Sequence, residues 1–544
     1  MDVATNRTAR PQRVAAGVVA LLLASGCGST AAPRAVGPGG GPVGGEALGG
    51  PAGTTGTDVE PGLGTAPGAG GAGANAPTTS GPRSLGGGAV GTGGTGGGGT
   101  SSGGSTSGGG GSSGGSRGSA PRSANPPGVT DTTITIGLAY ATNTEARGQQ
   151  LGVDGPDIGD PLAQQRLIVD DINKRGGILG RKVIVVEHAV DATSTEPYAV
   201  QAQEECATFT EDNKVFAVMD GGLDDTLREC VHRAGGVMVE VSTQSYVDGR
   251  TFRRFPYYIE PAGMGQDRIA AAWTPALRAQ SYFTPWDYNT GQPGALPVKV
   301  GVLLLDDPAD IYAYENFLAP AIKAAGFPVQ SFRASSPKSS GDGAAVAQIQ
   351  AAVLQFKSDG VTHFLPLDSG AGLALYFGNN ANSQRYYPRY GVNSAAGVQT
   401  LLDAGLFPRE QLNGAMGYGW SPFLDIPDAE NPDDGPNSNA ARRYCFKLLR
   451  DNGQQVNGSI AKRGAAEQCT KLYFLKAALE AGGPRISRAS FLAGVHALRG
   501  TFEAASTFRT LLGPTNHAGV AGIRNTAYDA TCGCFRYTSP LRPL

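Results

Sequence analysis

From Thr133 the chain reads TITIGLAY, an alternation that sets Ile134, Ile136 and Leu138 on one face at period two and predicts a strand. After a polar loop, PLAQQRLIVDDINKRGG spaces Ala163, Leu167, Ile168 and Ile172 onto one helical face. Gly176 and Gly177 then supply the left-handed conformation at which helices stop. Four residues, ILGR, lead into KVIVVE at 182–187, a β-branched run of the kind buried in parallel sheets. The pattern predicts a βαβ unit.

The rhythm continues. PYAVQAQEECATF predicts a helix with Tyr198, Ala202, Cys206 and Phe209 on one face, followed by strand VFAVM (215–219) and the loop DGGLDDT (220–226). A helix through Ala234 precedes strand VMVEV (237–241), which ends in STQS. Beyond Pro261, GQDRIAAAWTPAL predicts a helix, and VKVGVLLL (298–305), VQSF and VTHFLPL (361–367) predict strands separated by helices. NAARRYCFKLLRDNG and AEQCTKLYFLKAALEAGG predict two further helices, the second with Cys469, Leu472, Tyr473 and Leu479 on one face. Strands alternating with helices in this way predict an α/β protein built on parallel sheets.

The first quarter differs in kind. Arg7, Arg10 and Arg13 precede an apolar run at 14–23 and the small residues of ASGC, ending at Cys27. Basic residues, a short apolar run and small residues before a cleavage point predict a secretory signal over 1–26. The run is too short for a membrane span, which needs about 20 residues. Between 28 and 128 lie 38 of the chain's 83 glycines and no aromatic residue. Such a segment cannot bury enough apolar surface to offset the entropy of ordering, so residues 27–128 are expected to form a disordered tether with a reach of roughly 55 Å. Within it GGSRG matches a nucleophile-elbow pattern, but no strand precedes it and no helix follows.

Residues 129–544 are too many for one core and suit two lobes of about 200 residues each. The net charge of −2 implies neither a nucleic-acid nor an acidic-polymer partner. Apart from Cys27 there remain Cys206, Cys230, Cys445, Cys469, Cys532 and Cys534. An even number in an exported chain favours disulfides over metal ligation. Pairing of neighbours is the simplest choice, Cys206 with Cys230 on helices flanking strand 215–219 and Cys445 with Cys469 on consecutive helices. Cys532 and Cys534 could close only a tight ring or form a redox or metal pair, and a structural disulfide is the preferred reading.

Several of these stretches carry a resemblance. ITIGLA opening a strand, a helix ending INKRGGILGRKV and the strand IVVE look like the start of the type I periplasmic binding proteins, the branched-chain amino acid receptors that feed ABC importers. The cysteine after Ser25 and Gly26 resembles a lipoprotein lipobox, with Ala24 where leucine is commoner, so Cys27 would be the lipid-modified first residue of the mature chain. The resemblance runs from Val129 to the C-terminus. It implies two lobes, each a parallel sheet flanked by helices, with a ligand cleft between them: lobe 1 at about 129–261 and 416–520, lobe 2 at about 262–415, and a shared C-terminal segment.

In open parallel sheets ligands collect at the carboxyl ends of strands. In lobe 1 this selects Tyr140, the turn Gly221, Gly222 and Leu223, and Ser242, Thr243 and Gln244. In the family the last two loops hold a ligand carboxylate. Here Asp220, Asp224 and Asp225 stand where those receptors have serines. Either they point away and cap the helix beginning near Thr226, or the ligand is not an ordinary amino acid. In lobe 2 the resemblance implies an aromatic clamp at Tyr312, with Tyr314 second, and ligand contacts from Asp368, Ser369 and Asn393, with Ser394 beside it.

Other chemistries find no motif. The five histidines are scattered, with no HExxH pair and no Walker loop. His517 suits a structural turn better than catalysis. In the acidic stretch 425–439 prolines interrupt calcium-loop spacing, so an exposed loop is expected, with no metal or other cofactor. Two function classes remain: a lipid-anchored receptor that closes on a small polar, amino-acid-like solute and presents it to an ABC permease, and a sensor or interaction protein of the same fold without transport.

Overall fold

The computed structural model describes residues 125–150, 159–241, 246–367 and 372–544. The expected signal, Cys27 and the glycine-rich tether lie outside the described residues.

The first lobe is built on a five-stranded sheet in the order Lys182–Asp191, Thr133–Thr142, Ala217–Val218, Val237–Val239, Tyr258–Ile259, all parallel. Ile136 stands opposite Val185 on one side and Ala217 on the other. One face of this sheet packs Ile134, Ile136 and Val237 against Ile168, Phe446, Leu472 and Leu475 from helices Pro161–Lys174, Ala440–Asp451 and Gly458–Ala481. The other face packs Val218 and Met238 against Phe209, Leu227 and Val231.

The buried face of helix Pro161–Lys174 is rotated from the expected one. Ala163 and Leu167 are half-buried, whereas Gln164, Gln165, Ile168, Val169 and Ile172 are buried. Gln165 turns inward because its amide donates to the Ala139 carbonyl at 3.3 Å and to Gln468 Oε1 at 2.9 Å.

The second lobe centres on the parallel strands Val329–Ala334, Val300–Leu305, His363–Leu367, Arg389–Asn393 and Met416–Gly419, extended by the antiparallel pair Gly522–Asp529 and Cys534–Tyr537. The sheet is therefore mixed at one edge. Met416, where a return to the first lobe is expected from the sequence, instead begins a strand of this second sheet. The chain rejoins the first lobe with helix Ala440–Asp451 and leaves it again after Arg488–Leu498.

Three segments thus connect the lobes: 260–265, 420–439 and 499–521. The first and third are stitched together. Glu260 N–H donates to His517 O at 2.9 Å, Gly519 N–H to Glu260 O at 2.7 Å and Val520 N–H to Gly263 O at 3.1 Å. Arg268 adds bonds to Asn516, Ala518 and Val520. His517 is buried here against Phe252 and His496, and burial followed by the His496 charge pushes it down to about 4, a neutral structural group.

The stretch expected as an exposed loop is anchored as the second connector. Asp428 and Asp433 pair with Lys462, Asp433 also with Arg450, and Glu430 with Arg536. Among the described residues no helix is long and apolar enough to cross a membrane.

All three neighbour disulfides form: Cys206–Cys230, Cys445–Cys469 and Cys532–Cys534. The second joins helices Ala440–Asp451 and Gly458–Ala481 inside the first-lobe core across a separation of 24 residues. Replacing both Cys445 and Cys469 by Ala is expected to lower stability by about 3 kcal/mol, read as a drop in the urea midpoint.

Candidate cleft between the lobes

The carboxyl ends of the first-lobe strands carry the turn that begins at Asp220. Gly222 takes φ +61°, which glycine tolerates. Asp220 Oδ1 accepts the Gly222 N–H at 2.7 Å, and the Tyr198 hydroxyl accepts the Leu223 N–H at 2.5 Å. Asp224 caps helix Asp225–Ala234 by accepting the Thr226 N–H at 2.8 Å, and Asp225 pairs with Arg228 at 3.2 Å and Arg254 at 2.5 Å. The backbone donors at Gly222 and Leu223, which the resemblance assigns to a ligand carboxylate, are thus taken by the chain's own carboxylate and phenol.

Further carboxylates gather behind this turn. Glu240 follows strand Val237–Val239, and a Cβ on Gly221 would meet it at 2.8 Å and the Tyr258 hydroxyl at 2.5 Å. Only glycine fits there. Glu260 is fully buried and accepts the Tyr258 O–H. Glu205 is 6% exposed. Burial, reinforced by Asp220 and Glu240, pushes Glu205 well above the ordinary carboxylate range; burial also raises Glu240 and Glu467. Lys471 opposes all three shifts, while its ammonium donates to the Met219 carbonyl at 3.2 Å. Arg228, buried over the Tyr258 ring, donates to Gly222 O at 2.8 Å.

In the other lobe, helix Pro308–Ala313 carries Tyr312. The guanidinium of Arg250, on first-lobe helix Gly249–Arg254, lies 3.8 Å from the centre of the Tyr312 ring and donates to Pro308 O at 2.7 Å. Asp248, buried at the same helix start, holds that guanidinium at 2.6 Å. Tyr246 from the first lobe packs against the second-lobe core that contains Phe364 and Phe377. The lobes therefore touch directly through these side chains.

Asn393, 5% exposed, caps the following turn by accepting the Ala395 N–H at 2.8 Å, and its Nδ2 has no partner. Ser394 is committed to structure: its hydroxyl donates to Asp425 at 2.7 Å and accepts the Trp420 N–H at 2.7 Å. Asp425 also accepts from Tyr537 and from Ser421 N–H. Burial nonetheless pushes Asp425 up to about 7, against those donors.

Of the residues expected to bind, Tyr140 lies half-buried in strand Thr133–Thr142 opposite Ala189. Gly221, Gly222 and Leu223 share one turn, Tyr312 lies on second-lobe helix Pro308–Ala313 beneath the Arg250 guanidinium, and Tyr314 is buried within that lobe. Ser242, Thr243, Gln244, Asp368 and Ser369 lie outside the described residues. Sequence reading passed over Glu205, Glu240 and Arg250, and took Asp425 as part of an exposed acidic loop although it is buried. Glu240 sits in the apolar segment VMVEV, where a lone acidic residue is itself a signal, whereas Glu205 in QAQEECATF follows the exposed Glu204 and carries no such signal. Among the described residues, Glu430, Cys532 and Cys534 place three possible metal ligands together, but both sulfurs are in the disulfide.

Solved structures share this architecture. A fatty acid ABC transporter substrate-binding protein from Thermomonospora curvata aligns over 77% of this chain and 95% of its own, with 13% identity and a TM-score of 0.51. A solute-binding protein of an ABC transporter from Rhodopseudomonas palustris, in complex with p-hydroxybenzoic acid, aligns over 76% and 97%, with 12% identity and a TM-score of 0.51. A leucine-binding protein from Thermotoga maritima aligns over 75% and 98%, with 13% identity and a TM-score of 0.50. The chain has the two-lobed fold of the type I periplasmic binding proteins. No family model and no curated protein sequence matches it.

Two expectations follow. Arg250→Ala removes a contact worth about 1 kcal/mol, so the open form should gain roughly fivefold over the closed one. Spin labels at the exposed Arg233 and Lys323 would register this as a longer mean distance between lobes. Asp425 has a folded-state value above its unfolded one, so the folded protein keeps that proton longer. Its contribution to stability therefore declines as pH rises from about 4 to about 7, by at most about 1.4 kcal/mol per unit, and Asp425→Asn should remove that slope from urea-unfolding curves.

Proposed function

We propose that the chain is an extracytoplasmic solute-binding protein that captures a small polar solute, amino-acid-like or related, between its two lobes and presents it to an ABC permease. The observations that carry this reading are two sheets, each with a run of parallel strands, in lobes joined by three connectors and touching directly where Arg250 meets Tyr312. Such a joint permits closure, and a solute touching both walls favours the closed form by its differential affinity. The likeness in fold to substrate-binding proteins of ABC transporters supports it. Cys27 would carry a lipid anchor to the bacterial cell membrane, and residues 28–128 would tether the receptor to it. The reaction is binding without catalysis.

The satisfied turn at 220–226 argues that a solute carboxylate docks elsewhere, because a carboxylate placed beside Asp220 would be repelled. Tyr312, with Ser242, Thr243, Gln244, Asp368, Ser369 and Asn393, supplies the remaining contacts in this reading.

A thermal-shift screen of amino acids, sugars, aromatic acids and short peptides tests it. A solute present at a hundredfold excess over its Kd adds about 2.7 kcal/mol. One chemical class should raise the melting temperature, and Tyr312→Ala should diminish that rise. Absence of any shift across the library would overturn solute capture.

A further inference from the structure

Beside the cleft, the first lobe contains a cavity of about 140 Å³ between the end of strand Lys182–Asp191 and helix Tyr198–Cys206. Every residue lining it belongs to the first lobe, so occupancy does not require the lobes to close. Four carboxylates line it, Asp191, Glu196, Glu204 and Glu205, and no lysine or arginine does. Three differ from the fourth in setting. Asp191 is engaged by Asn143 and Thr193 near the rim, and Glu196 and Glu204 are exposed. Glu205 is buried, and its Oε1 has no hydrogen-bond partner.

An unpartnered carboxylate oxygen in a buried setting is costly, and a bound cation would remove that cost. We propose that this cavity is a binding site for a small organic cation, an alkyl amine or diamine, whose ammonium group contacts Glu205 and whose carbon chain lies against Val190 and the Tyr198 ring. The remaining carboxylates at the mouth suit a second ammonium. This cavity adjoins the 220–226 turn through Tyr198, but its lining lies wholly in the first lobe and its occupancy does not depend on solute capture between the lobes.

Three observations choose this occupant. A compact metal ion needs several ligand atoms close together, and among the described residues the cavity carboxylates form no such group. The volume matches a ligand of about six non-hydrogen atoms, since an apolar cavity of about 150 Å³ accepts benzene. The one histidine in the lining, His188, is held neutral by burial and does not supply the missing charge. Burial disfavours the ionised form of Glu205, with Asp220 and Glu240 adding to the effect and Lys471 opposing it. An ammonium in contact reverses that preference.

Titration calorimetry of the full chain with 1,4-diaminobutane tests the assignment, with butane-1,4-diol and calcium chloride as comparison probes. Saturable binding of the diamine, no heat from the diol, and at least a tenfold loss of affinity in Glu205→Gln are expected. Should that variant fold poorly, the double change Glu196→Gln with Glu204→Gln alters only exposed rim residues and should weaken binding severalfold. Absence of diamine binding would overturn the proposal. So would diamine binding that neither substitution affects, which would move the amine elsewhere and leave the cleft reading intact. Calcium binding lost with Glu205→Gln in place of diamine binding would replace an organic cation with a metal ion.

Discussion

Backbone hydrogen bonding between the first and third connectors is the constraint on which the two-lobed arrangement depends. Residues 260–263 and 517–520 run side by side and exchange amide hydrogen bonds, and Arg268 closes the pairing with three further contacts. Because Glu260 is fully buried, these bonds are shielded from water and are costly to lose. The second connector is held differently, by ion pairs from Asp428 and Asp433 to Lys462. The joint thus consists of two paired segments and one ionic strap, with both sheets lying outside it.

Polarity distinguishes the two cleft walls. The first-lobe wall concentrates Asp220, Glu240 and Glu260 around Lys471 and Arg228, and its turn satisfies its own amides. In the second lobe the Tyr312 ring lies under the Arg250 guanidinium, and the buried Asn393 amide is incompletely bonded among the described residues.

Much of the fold was legible because period-two and helical patterns dominate where the core is purely apolar, as in TITIGLAY and KVIVVE. It failed where polar atoms are buried in bonded pairs. Gln165 lies inward on a helix whose apolar residues suggested a different face, since hydropathy does not register an amide that finds partners. The strand MGYG was misassigned because two glycines weaken its signal; Gly417 is there because a Cβ would strike Val392 O at 1.9 Å. In the site, capping by Asp224 could be read from its place before a helix, whereas the inter-lobe contact of Arg250 with Tyr312 joins residues too distant in sequence for any local pattern.

Each disulfide closes within a single lobe: Cys206–Cys230 and Cys445–Cys469 brace the first, and Cys532–Cys534 ties the turn of the second lobe's terminal hairpin. None spans the joint. An oxidising surrounding thus hardens the walls of the cleft without clamping its angle, so toughness against unfolding and freedom to open are carried by different bonds in the same molecule.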